Sequence, residues 1–415
     1  MLTTDAPRLQ PLLVRAVVEA LFSIFCENRH ADKVIEFVLR NNRKAGSRDR
    51  AFIAENTYEI VRYYRLYAEI LGHTPASHWD FWQICGIHFA LSGYGNLPNL
   101  IEFKDLKVEE IIAKRDALYS QRAVRESIPD WLDALGQQEL PTVWNDTLTQ
   151  LNKPAKVVLR TNRLKTDREA LKKVLAAENI ETSAVGEGDS LVLNRRQNVF
   201  QSKVFKDGWF EVQDFSSQLV APLLAPAPGM RVVDACAGSG GKTLHLAAIM
   251  KNKGSIIALD TYAWKLDALR QRARRAGATN IEARTIESSK TIKRLHGSSD
   301  RLLLDVPCSG LGVLRRNPDS KWKLTLEQID QLRATQKELL RAYSPIVKPG
   351  GRMVYATCSI LPSENEQQVT EFLNSEAGRD FKMLEEKRIL PQDAGFDGFY
   401  MALMERTLTK DSPVQ

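Results

Sequence analysis

The chemistry this sequence offers most directly rests on two cysteines and a carboxylate. Cys308 follows Asp305 in Asp305-Val306-Pro307-Cys308-Ser309-Gly310, and Cys358 lies within Thr357-Cys358-Ser359. A thiolate is a strong nucleophile, a second thiol can help remove a proton or eliminate the first, and a carboxyl group can hydrogen-bond a heterocycle and help supply it a proton. That set suits covalent activation of a pyrimidine, whose carbon becomes nucleophilic toward a methyl sulfonium only after a thiolate has added across the ring. A lone cysteine near a strand end is ordinarily a small buried hydrophobe. Two of them at such ends, one beside an Asp, point beyond packing.

A Gly-rich turn supplies the other half of the chemistry, in Asp234-Ala235-Cys236-Ala237-Gly238-Ser239-Gly240-Gly241-Lys242-Thr243. Glycines let backbone amides approach a ligand and a helix N-terminus favours negative charge, so strand, turn and helix in succession read as a nucleotide-binding arrangement. Two common frames fail on spacing. The phosphate-binding GxxxxGK[ST] pattern needs Gly where the chain has Cys236, and the dinucleotide GxGxxG pattern needs Gly where it has Thr243. What remains is a shorter loop after Asp234, suited to the amino-acid end of S-adenosylmethionine. Asp260, 20 residues beyond Gly240 and at the tip of the next strand, can accept both ribose hydroxyls. His245, on an otherwise apolar helix face, reads as a surface or packing residue.

These groups must sit on something that brings them together. Each follows a short apolar run: Arg231-Val232-Val233, Ser255-Ile256-Ile257-Ala258-Leu259, Leu302-Leu303-Leu304 and Arg352-Met353-Val354-Tyr355. Such runs read as buried strands, and in an open α/β sheet ligands bind at the carboxyl ends of the strands. The fold class expected is therefore α/β, with a cofactor on the first two strands and covalent chemistry on the last two. Glu364 to Phe372 reads as a helix, and the stretch around Gly395 to Met404 as a turn between final strands.

The chain upstream has a different pattern. From Pro11 to about Trp144, apolar residues such as Leu13, Val14, Val17, Val18, Leu21, Phe22 and Phe25 recur at helical spacing and predict a small bundle. Arg40 to Arg50 carries five basic residues against one acid, a solvated loop or a phosphate contact. Arg62-Tyr63-Tyr64-Arg65 offers stacking with charge, although Tyr64 fits the core by spacing. Trp79, Trp82, Cys85 and His88 read as packing residues, and Trp322 as either an RNA-stacking or a loop-packing side chain. Gly136 to Leu151, with Pro141, reads as a connection. Beyond it, Val157 to Asn162, Ser190 to Leu193 and Gly208 to Val212 read as strands, and Asp167 to Glu178 as a helix with Thr166 at its N-cap. The basic residues of this small α+β module, among them Lys153, Lys156, Arg160, Arg163, Lys165, Lys172, Lys173, Arg195 and Arg196, suit an RNA surface.

Composition narrows the class of partner. The 415 residues are 43% hydrophobic and 26% charged, ordinary for a soluble globular chain, and 58 Lys and Arg against 51 Asp and Glu give a net +7 that favours a polyanionic partner. The start, Met1 to Pro7, lacks the features of a signal peptide and no apolar run is long enough to span a bilayer, so no membrane role is expected. Five cysteines with no CxxC pair fit a reducing cytoplasm, and scattered histidines give no support for zinc or another metal.

The motifs taken together carry a resemblance. Asp234-Ala235-Cys236-Ala237 with Gly240-Gly241-Lys242-Thr243, Asp260, Asp305 to Gly312, Arg315-Arg316-Asn317-Pro318-Asp319, and Tyr355-Ala356-Thr357-Cys358-Ser359 through Glu364-Asn365-Glu366 resemble, in order, the motif series of the Sun/RsmB-like and nucleolar family of RNA cytosine-5 methyltransferases. Gln213 to Gln218 is similar to that family's lead-in, the small module to its RNA-binding region, and the helical start to a NusB-like domain. The resemblance implies a Rossmann-like methyltransferase domain at 216–410 behind a NusB-like domain at 1–145 and an α+β RNA-binding module at 150–215. It implies that Cys236, Ala237, Gly238, Ser239, Gly240, Gly241 and Lys242 form the S-adenosylmethionine loop, that Asp260 grips the ribose, that Asp305 serves cofactor and base, that Cys358 is the nucleophile, and that Cys308 assists product release. Two departures stand out: Gly238-Ser239 replaces the family's usual Ala-Pro, and Glu287 stands after the third strand where an Asp is usual, expected to bind the adenine side of the cofactor in its place. The expected partner is RNA, ribosomal before transfer RNA, with a monomeric cytoplasmic protein. The rival readings are an RNA-binding ribosome-assembly factor of weak catalysis and, more remotely, a nucleotide hydrolase.

Overall fold

The computed structural model describes residues 9–94 and 97–408; the Met1 to Pro7 stretch lies outside them. The chain divides into two compact units, Met1–Lys153 with Leu314–Leu326, and Pro154–Val313 with Glu327–Gln415. Each has its own core.

In the first unit the helical periodicity becomes packing. Helices Pro11–Phe25, Ala31–Asn41, Ser47–Arg62, Tyr64–Leu71 and His78–Leu91 bury Val14, Val17, Leu21, Ile53, Ile60, Phe81 and Phe89 against one another. The region expected to be a connection is instead helical, as Asp130–Glu139 and Trp144–Leu151. The two helices meet where the buried Trp144 indole packs on Gly136, so closely that a Cβ there would lie 2.1 Å from it. Arg62-Tyr63-Tyr64-Arg65 is also structural. Buried Arg62 donates to the Arg315 carbonyl at 3.2 Å, Tyr64 stacks on Phe25 at 3.7 Å, and Arg65 holds Asp130 at 2.7 Å. Trp322 resolves as a packing residue, its Nε1 donating to the Val61 carbonyl at 2.7 Å. Cys85 and His88 are buried as expected, but Trp79 is 48% exposed and does not belong to the core.

The second unit opens with a four-stranded antiparallel sheet of β1 (Val158–Thr161), β2 (Thr182–Ala184), β3 (Ser190–Leu193) and β4 (Phe210–Val212), in the order β2-β3-β1-β4. Helix Arg168–Ala177 covers it through Leu171 and Leu175. Its N-cap is Asp167, whose side chain accepts from the Ala170 amide at 2.9 Å, rather than Thr166.

The larger sheet follows the apolar runs. β5 (Arg231–Asp234), β6 (Ser255–Asp260), β7 (Ile281–Thr285), β8 (Ser299–Asp305), β9 (Val347–Thr357), β10 (Phe381–Ile389) and β11 (Phe399–Arg406) lie in the order β10-β11-β9-β8-β5-β6-β7. The first five are parallel, whereas β11 is antiparallel to β9 and β10. Val232, Val233, Ile256, Leu302, Leu303, Met353 and Val354 are buried within it, as expected for strands covered on both faces. The architecture is Rossmann-like α/β. Strand order reverses at β5, which places the switch-point crevice beyond the carboxyl ends of β5, β6 and β8.

The small sheet braces this crevice through ion pairs. Glu211 on β4, only 4% exposed, accepts from Arg272 Nη2 at 2.9 Å and from Arg275, both on helix Ala263–Ala276. Arg272 Nη1 in turn donates to the Ser239 carbonyl at 2.8 Å. Arg160, expected on an RNA-facing surface, is instead buried and donates to the Gly241 carbonyl at 2.6 Å. Glu211→Ala is expected to lower unfolding free energy by roughly 2–4 kcal/mol, because it strands two guanidinium groups that are largely out of water. Urea denaturation checks this, and an unchanged midpoint would dismiss the brace.

Candidate active site

The strand ends carry the polar residues because the sheet register puts them there. Asp234 closes β5 beside Ala258 and Leu303, Asp260 closes β6, and Asp305 pairs with Ala356, two residues before Cys358. The Cys308 and Cys358 sulfurs come within 3.4 Å of each other although 50 residues separate them in sequence. Gly312 helps bring the two turns together. Its amide donates to the Cys358 carbonyl at 2.9 Å, and a Cβ there would lie 2.7 Å from the same oxygen.

The thiols are not equivalent. The hydrogen bond with Cys358, and then burial, hold the Cys308 thiol well above its ordinary pKa, and the negative charge of Glu364 adds to this. Either sulfur can be the donor in the contact between them. Gentle oxidation with diamide is expected to join Cys308 and Cys358 in a disulfide, since the sulfurs must close only to about 2.05 Å. Peptide mass spectrometry showing both thiols still free would contradict the pairing.

Asp305 lies at the mouth of the same region, with Lys242 Nζ 2.7 Å from its Oδ2. Lys242 also sits over the Phe399 ring, 5.0 Å from its centroid, so the ammonium is fixed between a carboxylate and an aromatic face. Asp234 is fully buried, and Thr243 Oγ1 donates to its Oδ2 at 2.7 Å. Burial pushes its pKa up to about 7, opposed by Thr243, while the nearby Asp305 charge pushes the same way. Burial likewise drives the Cys236 thiol upward, with Asp234 adding to it, which marks Cys236 as a wall of the loop. His245 is buried within the helix that follows, and burial pushes its pKa well down. It is a neutral packing residue.

The cofactor loop is held by its own turn. Asp260 accepts from the Gly238 amide and the Tyr262 amide, each at 2.9 Å, and each oxygen retains lone-pair capacity for a ligand hydroxyl. Gly238 has φ +54°, and nothing lies within 4 Å of where its Cβ would be, so the backbone there is open to close approach. Ser239 is anchored through Arg272, Gly240 begins helix Gly241–Ile249, and the Ala237 amide donates to the Leu259 carbonyl at 2.8 Å. The buried Asp234 Oδ1 makes no well-formed hydrogen bond, although the Cys236 amide favours its charge. A buried carboxyl group, an open glycine and a carboxylate at the next strand tip fit the ammonium, backbone contacts and ribose of S-adenosylmethionine. Glu287 follows β7 and is exposed, and the amide of Ile286 just before it donates to the Asp260 carbonyl at 2.9 Å.

Sequence reading missed Arg272 and Glu211 as supports of the loop, since one lies on a helix and the other on a separate sheet. It gave no role to Gln336 and none of its own to Glu364, both buried behind the cysteine turns. Among the described residues no group of three or more His, Cys, Asp or Glu could hold a metal ion, and no helix is long and apolar enough to cross a membrane.

Comparison with known proteins places this geometry. The family model "16S rRNA methyltransferase RsmB/F" matches residues 221–405, and the ferredoxin-like domain of RsmF/B-like methyltransferases matches 128–200. A probable ribosomal RNA small subunit methyltransferase B of Synechocystis sp. is 40% identical over 251 residues, covering 60% of this chain and 56% of that protein. The chain thus aligns with little more than half of that relative's length. The ribosomal RNA small subunit methyltransferase B of Pseudomonas syringae pv. tomato is 34% identical over 304 residues, covering 69% of this chain and 68% of that one. The crystal structure of PH0851 shares the fold over 96% of this chain and 99% of its own, with a TM-score of 0.80 and 24% identity.

Proposed function

Because the chain belongs to the RsmB/F family of methyltransferases, we propose that it methylates carbon-5 of a cytosine in small-subunit ribosomal RNA, using S-adenosylmethionine and a covalent cysteine adduct. The observation that carries the reading is the 3.4 Å approach of the Cys308 and Cys358 sulfurs, on the turns that follow β8 and β9 and next to Asp305. Neither a nucleotide hydrolase nor a binding module needs two apposed thiols there.

Cys236, Ala237, Gly238, Ser239, Gly240, Gly241 and Lys242, with Asp260, would hold the cofactor, which supplies an electrophilic methyl group on a sulfonium. Cys358 adds through its sulfur to carbon-6 of the ring, moving electron density to carbon-5. Asp305 would hydrogen-bond the base edge and give the ring nitrogen a proton, so that charge does not accumulate there. After methylation the carbon-5 proton is taken by a base, the electrons of that C–H bond form the carbon-5 to carbon-6 double bond, the carbon-6 to sulfur bond breaks with its electron pair on Cys358, and the ring nitrogen returns its proton to Asp305. Cys308, 3.4 Å from that sulfur, can give its proton to the departing thiolate and, as the thiolate so formed, take the carbon-5 proton. The base must leave its stack to enter such a site, which favours a loop or junction over a regular duplex.

The test is bisulfite sequencing of 16S ribosomal RNA from cells with and without the protein. At least one protected cytosine is expected to become convertible in its absence, and an unchanged pattern would reject the substrate. One second reading, motivated by Gly238-Ser239 and Glu287 where the family usually has Ala-Pro and Asp, is an RNA-binding assembly factor that holds S-adenosylmethionine poorly. Titration calorimetry separates the two, since the assembly factor gives no heat with S-adenosylmethionine.

A further inference from the structure

One carboxyl group serves both cysteine turns. Glu364 is fully buried, on the short 3-10 turn that follows the Cys358 strand end. Its Oε1 accepts from the Ser309 amide at 2.8 Å and from Gln336 Nε2 at 3.0 Å. Its Oε2 accepts from the hydroxyls of both Ser309 and Ser359, which lie 3.2 Å apart. Ser309 and Ser359 are the residues next to Cys308 and Cys358. Gln336 also donates to the Pro307 carbonyl at 2.9 Å, on the other side of Cys308. Glu364 is itself fixed by Tyr355, whose hydroxyl donates to its backbone carbonyl at 2.7 Å, and Asn365 donates to the Ser359 carbonyl at 3.1 Å.

We propose that Glu364 is the positioning residue of the cysteine pair: its carboxyl group locks the turn after β8 to the turn after β9 and thereby sets the distance between the two thiols. This rests on the reading of the pair as the methyl-transfer thiols. All four donors to the side chain converge on its two oxygens. Gln at this position offers one acceptor oxygen where two are used, and its amide NH₂ is matched only if the Ser309 and Ser359 hydroxyls, which donate to Oε2, both turn round to accept, so the link between the two turns is weakened. A hydrophobic residue would satisfy neither turn. The same carboxylate lies close enough to Cys308 to help hold its thiol protonated, which agrees with an asymmetric pair.

The test compares the full-length chain with Glu364→Gln and with Ser309→Ala, a milder variant that removes only one donor. The first readout is the rate of diamide-driven disulfide formation between Cys308 and Cys358, which needs no catalysis. Glu364→Gln is expected to slow it about tenfold or more and Ser309→Ala to slow it less, because sulfur exchange requires close approach. The second is single-turnover methyl transfer, expected to fall roughly 100-fold in Glu364→Gln through misplacement of the reacting groups. S-adenosylmethionine affinity by calorimetry should stay within about threefold, because Glu364 does not touch the loop. A disulfide rate equal to wild type in folded Glu364→Gln overturns the inference, as does lost activity that tracks only the folded fraction. Wild-type protein that crosslinks readily yet never methylates RNA would instead defeat the proposed function and leave the positioning role intact.

Discussion

Replacing Cys358 with Ala is expected to abolish methyl transfer, a fall of roughly 10⁴-fold or more, whereas replacing Cys308 with Ala should leave RNA attached to the protein. The two outcomes differ because the thiols have different work. The bond to carbon-6 needs a sulfur that gives up its proton, and the hydrogen bond with Cys358, then burial, push the Cys308 pKa upward, which disfavours Cys308 in that role. With Cys358 gone, the ring is never activated and no base-edge contact compensates. With Cys308 gone, Cys358 still adds, but the neighbour 3.4 Å away that exchanges a proton with its sulfur is missing. The adduct then persists. A denaturing gel of protein incubated with substrate RNA and S-adenosylmethionine reads both: a shifted band for Cys308→Ala, none for Cys358→Ala. A shifted band for Cys358→Ala would exchange the two assignments.

Much of this was legible in the chain because the informative signals were local. Apolar runs of three to five residues ending in Asp, Cys or a Gly-rich turn predict β5, β6, β8 and β9, and the sheet places their ends along one edge. What escaped were effects of partners distant in sequence. Gly136 to Leu151 has the composition of a connection, yet most of it is helical, with the Trp144 indole packed on Gly136. Arg160 looks like any surface arginine, yet the Gly241 carbonyl, 81 residues on, draws it inside. The basic and aromatic Arg62 to Arg65 run suggested stacking on RNA, and it is consumed by Arg315, Phe25 and Asp130.

The candidate site divides in the same way. Residue type and strand position identified the thiols and carboxylates themselves. Their supports could not be read, because a supporting contact depends on tertiary placement: Ser309 meets Glu364 across 55 residues, and Ser239 meets Arg272 across 33. The Gly238-Ser239 departure illustrates the point. Taken alone, it removes the stiffness of a proline from the loop, but Arg272 binds both the carbonyl and the hydroxyl of Ser239, at 2.8 and 3.0 Å, and is itself anchored by Glu211. An ion-pair brace takes over a restraint that the backbone would otherwise supply.

Asp305→Asn is expected to slow methyl transfer by about 10²–10⁴-fold, the range lost when a positioned proton donor is removed. Asparagine keeps the size of the side chain and can still hydrogen-bond a base edge, but it cannot give the ring a proton as the thiolate adds. Binding of RNA should therefore survive while activation fails. Lys242 sharpens the argument, since its ammonium lies 2.7 Å from Asp305 Oδ2. A base entering the site must share or displace that contact before Asp305 can act as an acid. Lys242→Met should then be less damaging than Asp305→Asn, because it removes a competitor for the carboxylate while leaving the acid in place. Both are best measured in the Cys308→Ala background, where adduct formation reports ring activation without the release step. If Asp305→Asn forms the adduct as fast as its parent, Asp305 is not the proton donor and another group at the edge of the sheet must be.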